Sequence, residues 1–74
     1  MSSDLLATGR LTVNGDQMPL SGLATVGDLL TALKIVPQRV VVELNGVIYR
    51  RGEGLDAGLR DGDVVEIVHF VGGG

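Results

Sequence analysis

Two Asn-Gly dipeptides, Asn14-Gly15 and Asn45-Gly46, constrain this chain more than any other feature. Each follows a short run of alternating apolar and polar residues, and each is the pair that best accepts the positive φ angles of a type I′ hairpin turn. The first hairpin rises over Arg10–Val13, with Leu11 and Val13 on one face and Arg10 and Thr12 on the other, and returns over Gln17–Leu20. Met18 and Leu20 share a face on the return, and Pro19, which has no N–H for a ladder, marks that strand as an edge. Ser21-Gly22 closes the unit. The second hairpin sets Val40, Val42 and Leu44 against Val41 and Glu43, turns at Asn45-Gly46, and returns over Val47-Ile48-Tyr49.

Between the hairpins the period changes from two to 3.6. Thr25, with Asp28 three positions on, reads as a capping box. Val26, Leu29, Leu30 and Leu33 then fall at i, i+3, i+4 and i+7, one apolar stripe of about two turns. Asp28 in the first turn and Lys34 in the last suit the helix dipole, and Pro37 is expected to end the helix. Beyond the second hairpin, Arg50–Leu59 holds Gly52, Gly54 and Gly58 and reads as a loop with at most one helical turn, plugged by Leu55. Asp61-Gly62-Asp63 forms a tight turn, and Val64–Phe70 is the last strand. If Glu66 faces water, Val65 and Ile67 face the core, and Val68 and Phe70 share the outer face with Glu66.

The order strand, strand, helix, strand, strand, strand gives an α+β domain, one sheet wrapped on one helix. A single helix covers only one face of that sheet. Val41, Val68 and Phe70 make the other face more apolar than solubility requires, which marks it as a partner-binding surface together with Val71 at the end of the strand.

A chain of 74 residues without cysteine folds with neither disulfides nor a thiolate metal site. With 45% apolar residues but one Phe and one Tyr, Val and Leu must fill the core. A net charge of -3 without a basic stripe argues against nucleic acid and anionic membranes as partners. Leu5-Leu6-Ala7 is too short for a signal-peptide core, and no apolar run approaches the ~20 residues of a membrane span. A cytoplasmic protein, monomeric when free, is the expectation. Residues 1–9 show no period and read as a flexible N-terminal extension, 10–71 as the domain, and 72–74 as a flexible glycine tail.

That tail, Gly72-Gly73-Gly74, directly follows the last strand with no polar spacer. Lacking side chains, Gly72 and Gly73 can thread a channel too narrow for other residues, and what they would deliver is the α-carboxylate of Gly74. Other chemistry finds little support. His69 has no second His, Cys or Ser arranged as a triad or metal site, so no metal is expected. Asp61 and Asp63 are accounted for as turn residues, and Gly52-x-Gly54 lacks the strand-to-helix setting of a nucleotide site. Without a thiol, the chain cannot hold a persulfide or thioester on its own side chains.

Three segments in order, "TVGDLL" at Thr25–Leu30, "RVVVELNG" at Arg39–Gly46 and "GDVVEIVHFVGGG" at Gly62–Gly74, resemble the ThiS family, the sulfur carriers of thiamine biosynthesis. The resemblance covers residues 10 to 74 and is most specific at the closing motif. It implies a ubiquitin-like β-grasp fold, a mixed sheet of about five strands with the first and last adjacent and parallel in the middle. It also implies that a ThiF-like adenylating enzyme uses Mg-ATP to convert the Gly74 carboxylate to an acyl-adenylate. Sulfur from a persulfide donor would then give a thiocarboxylate for a ThiG-like thiazole synthase. The chain itself would bind no cofactor and act as a carrier, not a catalyst. Gly73 and Gly74 match the Gly-Gly ending of such carriers, Gly72 is an additional glycine, and residues 1–9 exceed the usual short start. Two related readings share the ending: the small subunit of molybdopterin synthase, which tends to carry a proline before the tail where this chain has none after Pro37, and a ubiquitin-like modifier joined through Gly74 to lysines. A plain β-grasp interaction module with an inert tail is a third.

Overall fold

The last strand of the chain lands in the middle of the sheet. A computed structural model describes residues 9–70. Strands β1 (Arg10–Val13) and β2 (Asp16–Pro19) form the first hairpin, helix α1 spans Val26–Ala32, a 3-10 turn covers Pro37–Arg39, and β3 (Val40–Leu44) and β4 (Val47–Arg50) form the second hairpin. Strand β5 (Val64–His69) enters between the hairpins, giving the order β2-β1-β5-β3-β4. It pairs parallel with β1, Thr12 opposite Val64 and Val13 opposite Val65, and antiparallel with β3 from Leu44 opposite Val65 to Val40 opposite His69. The mixed five-stranded sheet on one helix is the β-grasp arrangement. Pro19 lies on edge strand β2, where its missing donor costs no ladder bond.

Both turn dipeptides take the backbone their composition favours, Asn14 and Gly15 at φ 50° and 88°, Asn45 and Gly46 at 50° and 89°. The hairpins are thereby locked in register, Val13 opposite Asp16 and Leu44 opposite Val47. Successive residues then alternate between the helix side and the outer side. The buried set is wholly aliphatic: Leu11, Val40, Val42, Leu44, Val65 and Ile67 from the sheet, Val26, Leu29 and Leu30 from α1, and Leu59 from the loop before β5.

The start of α1 is capped twice over. Asp28 N–H donates to Thr25 Oγ1 at 3.1 Å, while Asp28 Oδ2 accepts from the N–H groups of Ala24 (2.9 Å) and Thr25 (3.1 Å). These two backbone donors, Ala24 first, hold the Asp28 carboxyl below the usual aspartate range. The glycine-rich loop satisfies the next orphan donors, because Val26 N–H reaches Ala57 O at 2.9 Å and Gly27 N–H reaches Leu55 O at 2.8 Å. The loop thus serves as a cap that ties β4 to β5 through the helix. It contains turns and no helix; Leu59 is its buried residue and Leu55 packs part-buried beside the core. Gly54, at φ 67°, is fixed by contact as well, for the Tyr49 ring occupies the place a Cβ would take.

The C-terminal end of α1 departs from the sequence reading. Pro37 does not end the helix; it opens the 3-10 turn at its first position. The helix stops earlier, by a Schellman motif in which Ile35 N–H donates to Leu30 O (2.9 Å) and Lys34 N–H to Thr31 O (3.0 Å). Lys34 occupies the left-handed position of that motif at φ 60°, beyond the last helical turn, and Leu33 is left 37% exposed, off the buried stripe. Hydrogen bonding to Leu30 and Thr31, with Ile35 packed on the core, outweighs the side-chain preference at Lys34. Lys34→Gly should therefore stabilise the protein by about 0.5–1 kcal/mol, because glycine removes the left-handed penalty and restores only part of it as chain entropy. Thermal unfolding checks this; an unchanged or lower midpoint would mean that the lysine carries no conformational cost.

Candidate functional site

Strand β5 precedes the glycine segment singled out in the sequence, so the geometry that matters first is whatever fixes β5. Both turn asparagines do so with their side chains. Asn14 Oδ1 accepts from Ile67 N–H at 2.7 Å and its Nδ2 donates to Ile67 O at 3.3 Å, which extends the two-residue parallel pairing with β1 by a side-chain imitation of a backbone partner. On the other side Asn45 Oδ1 accepts from Val64 N–H at 2.9 Å, and Asn45 Nδ2 donates to Asp63 Oδ1 at 2.9 Å. Their main-chain N–H groups reach Val65 O and Val64 O, each at 2.9 Å. One residue type therefore supplies the left-handed turn and the brace together. Asp61 and Asp63 close the entry to β5 from below: Asp61 Oδ1 accepts from Arg10 N–H at 2.8 Å, and Asp63 Oδ2 from Arg60 N–H at 2.7 Å.

The outer face of the sheet carries no helix. Val41 and Val68 lie directly opposite each other there, Val41 part-buried and Val68 61% exposed, with Arg50 beyond Val41 on β4. The next pair along is Glu43 opposite Glu66, two exposed carboxylates facing across neighbouring strands, flanked by the exposed Ile48 of β4. Like charges at directly opposed positions oppose sheet formation, so this pair does not help hold β3 against β5. Phe70, one residue past β5, is tied by its N–H to Arg39 O at 3.0 Å, and the Arg51 guanidinium stands 4.5 Å from the centre of its ring.

The structure therefore sets Val41 and Val68 opposite each other on the outer face and holds Phe70 one residue past β5, at the same end of the sheet. Val71, Gly72, Gly73 and Gly74 lie outside the described residues, as do residues 1–8 of the N-terminal extension. Ile48 and Arg51 escaped the sequence reading. The alternation of β4 could have placed Ile48 on the outer face; Arg51, inside a presumed loop, gave no periodic signal. His69 is exposed and pairs with Val40 in the ladder. Among the described residues no three His, Cys, Asp or Glu side chains gather as metal ligands, and no helix is long and apolar enough to cross a membrane.

A mixed five-stranded sheet with a capped helix on one face and a bare apolar and acidic outer face defines the class of small β-grasp domains. Comparison with known proteins narrows it. The ThiS family model matches residues 11–74, and the chain belongs to the ThiS family. It is 44% identical over 50 residues to the sulfur carrier protein ThiS of Bacillus subtilis, covering 68% of this chain and 76% of that one. It is 34% identical over 65 residues to a thiazole synthase of Magnetococcus marinus, covering 88% of this chain but 20% of the synthase, so the chain spans about a fifth of that relative's length. The crystal structure of the thiamine biosynthesis protein ThiS from Geobacter metallireducens superposes with a TM-score of 0.70 at 45% identity, covering 88% of this chain and 99% of the other.

Replacing Asn14 by glycine separates the two roles of that residue, because glycine keeps the turn and removes both bonds to Ile67. A loss of about 1–2 kcal/mol is expected in urea unfolding, with Asn14→Asp, which keeps the acceptor, losing less. Equal midpoints for all three proteins would show that the side-chain brace contributes nothing.

Proposed function

We propose that the chain is a sulfur carrier of thiazole formation in thiamine biosynthesis, acted on through the carboxylate of Gly74. The observation that carries this reading is the ThiS family match running through the final glycines on a fold whose central strand leads to them. The matches to thiazole synthases favour the thiazole branch over molybdopterin synthesis.

The chemistry follows from what a carboxylate lacks. It is a poor electrophile, so a partner adenylating enzyme with Mg-ATP joins it to AMP, releasing pyrophosphate and creating a good leaving group. The terminal sulfur of a persulfide on a donor protein then attacks the acyl carbon and expels AMP. A thiol cleaves the resulting acyl disulfide, leaving a thiocarboxylate and an oxidised donor. Both the persulfide and the thiol come from outside, because this chain has no cysteine. Thiazole synthase takes the sulfur and returns the carboxylate, so the carrier is a reusable cosubstrate. Gly72 and Gly73 pass through the partner's channel, while Val41, Val68, Phe70 and Val71 form the docking surface beside it.

Intact mass after incubation with ATP, Mg²⁺, the adenylating enzyme and a persulfide donor should show one oxygen exchanged for one sulfur, and deletion of Gly74 should abolish the exchange. Higher-mass isopeptide conjugates instead would establish a modifier. The docking surface has its own test. Val68 is exposed, so Val68→Asp should cost only about 1 kcal/mol, the span of strand propensities, leaving the protein folded, yet weaken binding to the adenylating enzyme at least severalfold. Unchanged affinity would remove the outer face from the interface.

A further inference from the structure

We propose that Arg51 is a positioning residue for the carboxyl terminus: it clamps the Phe70 ring and so sets the direction in which the chain leaves the sheet. The inference rests on the carrier reading above and adds to it a residue outside the tail and the docking surface.

The evidence is an internal comparison. Three two-residue turns in this protein share one backbone geometry, with φ pairs of 50° and 88° at Asn14-Gly15, 50° and 89° at Asn45-Gly46, and 44° and 88° at Arg51-Gly52. In the third, Glu53 N–H donates to Arg50 O at 2.8 Å, which closes a turn of the same kind. The first two use asparagine, which tolerates positive φ. The third uses arginine, a long side chain that is disfavoured there. Asparagine or glycine would hold position 51 at a lower conformational cost. What arginine adds is the guanidinium over the Phe70 ring, 4.5 Å from its centre. Strain held at one residue and a specific contact made by its side chain point to a role beyond the turn.

The backbone makes that contact reproducible. Phe70 N–H is bonded to Arg39 O at 3.0 Å and Arg51 N–H to Val40 O at 3.1 Å, so both partners of the clamp hang from consecutive residues of one segment. Phe70 precedes Gly74 by four residues. Four residues reach at most about 13–14 Å, so a swing of about 20° at Phe70 would displace the carboxylate by roughly 5 Å at full reach. That is more than the ~3–3.5 Å separation of atoms about to react. Holding the base of the tail reduces the orientations a partner must search. Once the tail is inside a channel, the channel takes over the alignment. The clamp therefore governs encounter and affinity, which appear in KM, and leaves the bound reaction, which appears in kcat, unchanged.

The test uses the full chain with the adenylating enzyme and Mg-ATP, following pyrophosphate release. Arg51→Asn and Arg51→Gly both suit the turn and should melt at or above the wild-type temperature, so lower activity would not reflect unfolding; either variant alone carries the test. The expected result is a KM raised about three- to fivefold, the scale of a part-exposed cation–π contact, with kcat unchanged and Arg51→Lys recovering most of the loss. In a Phe70→Leu background the same substitutions should have no further effect, as required if arginine acts through the ring. Unchanged KM in the Asn and Gly variants overturns the proposal. So does a KM rise that persists in the Phe70→Leu background, because arginine would then be touching the partner directly. Wild-type protein that is never adenylated defeats the carrier reading itself and the clamp with it, an outcome recognisable because no variant is needed to see it.

Discussion

The structure depends on holding one strand from both sides with little backbone to do it. Strand β5 shares only two registered pairs with β1, Thr12 with Val64 and Val13 with Val65, yet it is the central strand and the route to the carboxyl terminus. Parallel pairing between the first and last strands is also the contact of greatest sequence separation, so it closes the longest loop and offsets the largest chain entropy. The two turn asparagines make up the deficit. Asn14 bonds both the N–H and C=O of Ile67, and Asn45 bonds Val64 N–H, so β5 is gripped above the β1 ladder and at its own entry by residues that the hairpins already require. Coupling the hairpin turns to the central strand means that neither hairpin forms its full set of bonds until β5 is in place.

This coupling explains which parts of the fold are legible in the sequence. Elements set by local chemistry stand out: the Asn-Gly turns, the Thr25–Asp28 box, the edge proline, and the phase of β5, which one charged residue, Glu66, decides. Features set by distant contacts do not. Nothing near Asn14 in the sequence announces a bond to Ile67 fifty-three positions away. The end of α1 is a subtler case. Pro37 is a true helix breaker, but the helix had already stopped at a Schellman motif whose left-handed residue is lysine, where glycine would have given the signal. The loop from Arg51 to Leu59 shows the same principle from the other side. Its glycines mark it as irregular, while its main-chain carbonyls, invisible as residue types, cap α1.

The site divides along the same line. The outer-face positions of Val41 and Val68 were readable because alternation alone puts them there. Arg51 was not, because what distinguishes it is a φ angle and a contact with a residue nineteen positions later in the chain. A sequence shows an arginine before a glycine. Only the repeated turn geometry shows that the arginine stands where this protein twice uses asparagine.

The two faces of the sheet differ in composition. Ten aliphatic residues on the helix side form the whole buried core, with no buried polar group among the described residues. On the opposite side of the same strands, Glu43 faces Glu66 while Val41 and Val68 remain uncovered beside them. A sheet selected for stability alone would place opposite charges or threonines at such cross-strand positions. Leaving an acidic pair next to an apolar pair costs the free protein a little and gives the surface a pattern that is apolar nearest the tail and negative farther back.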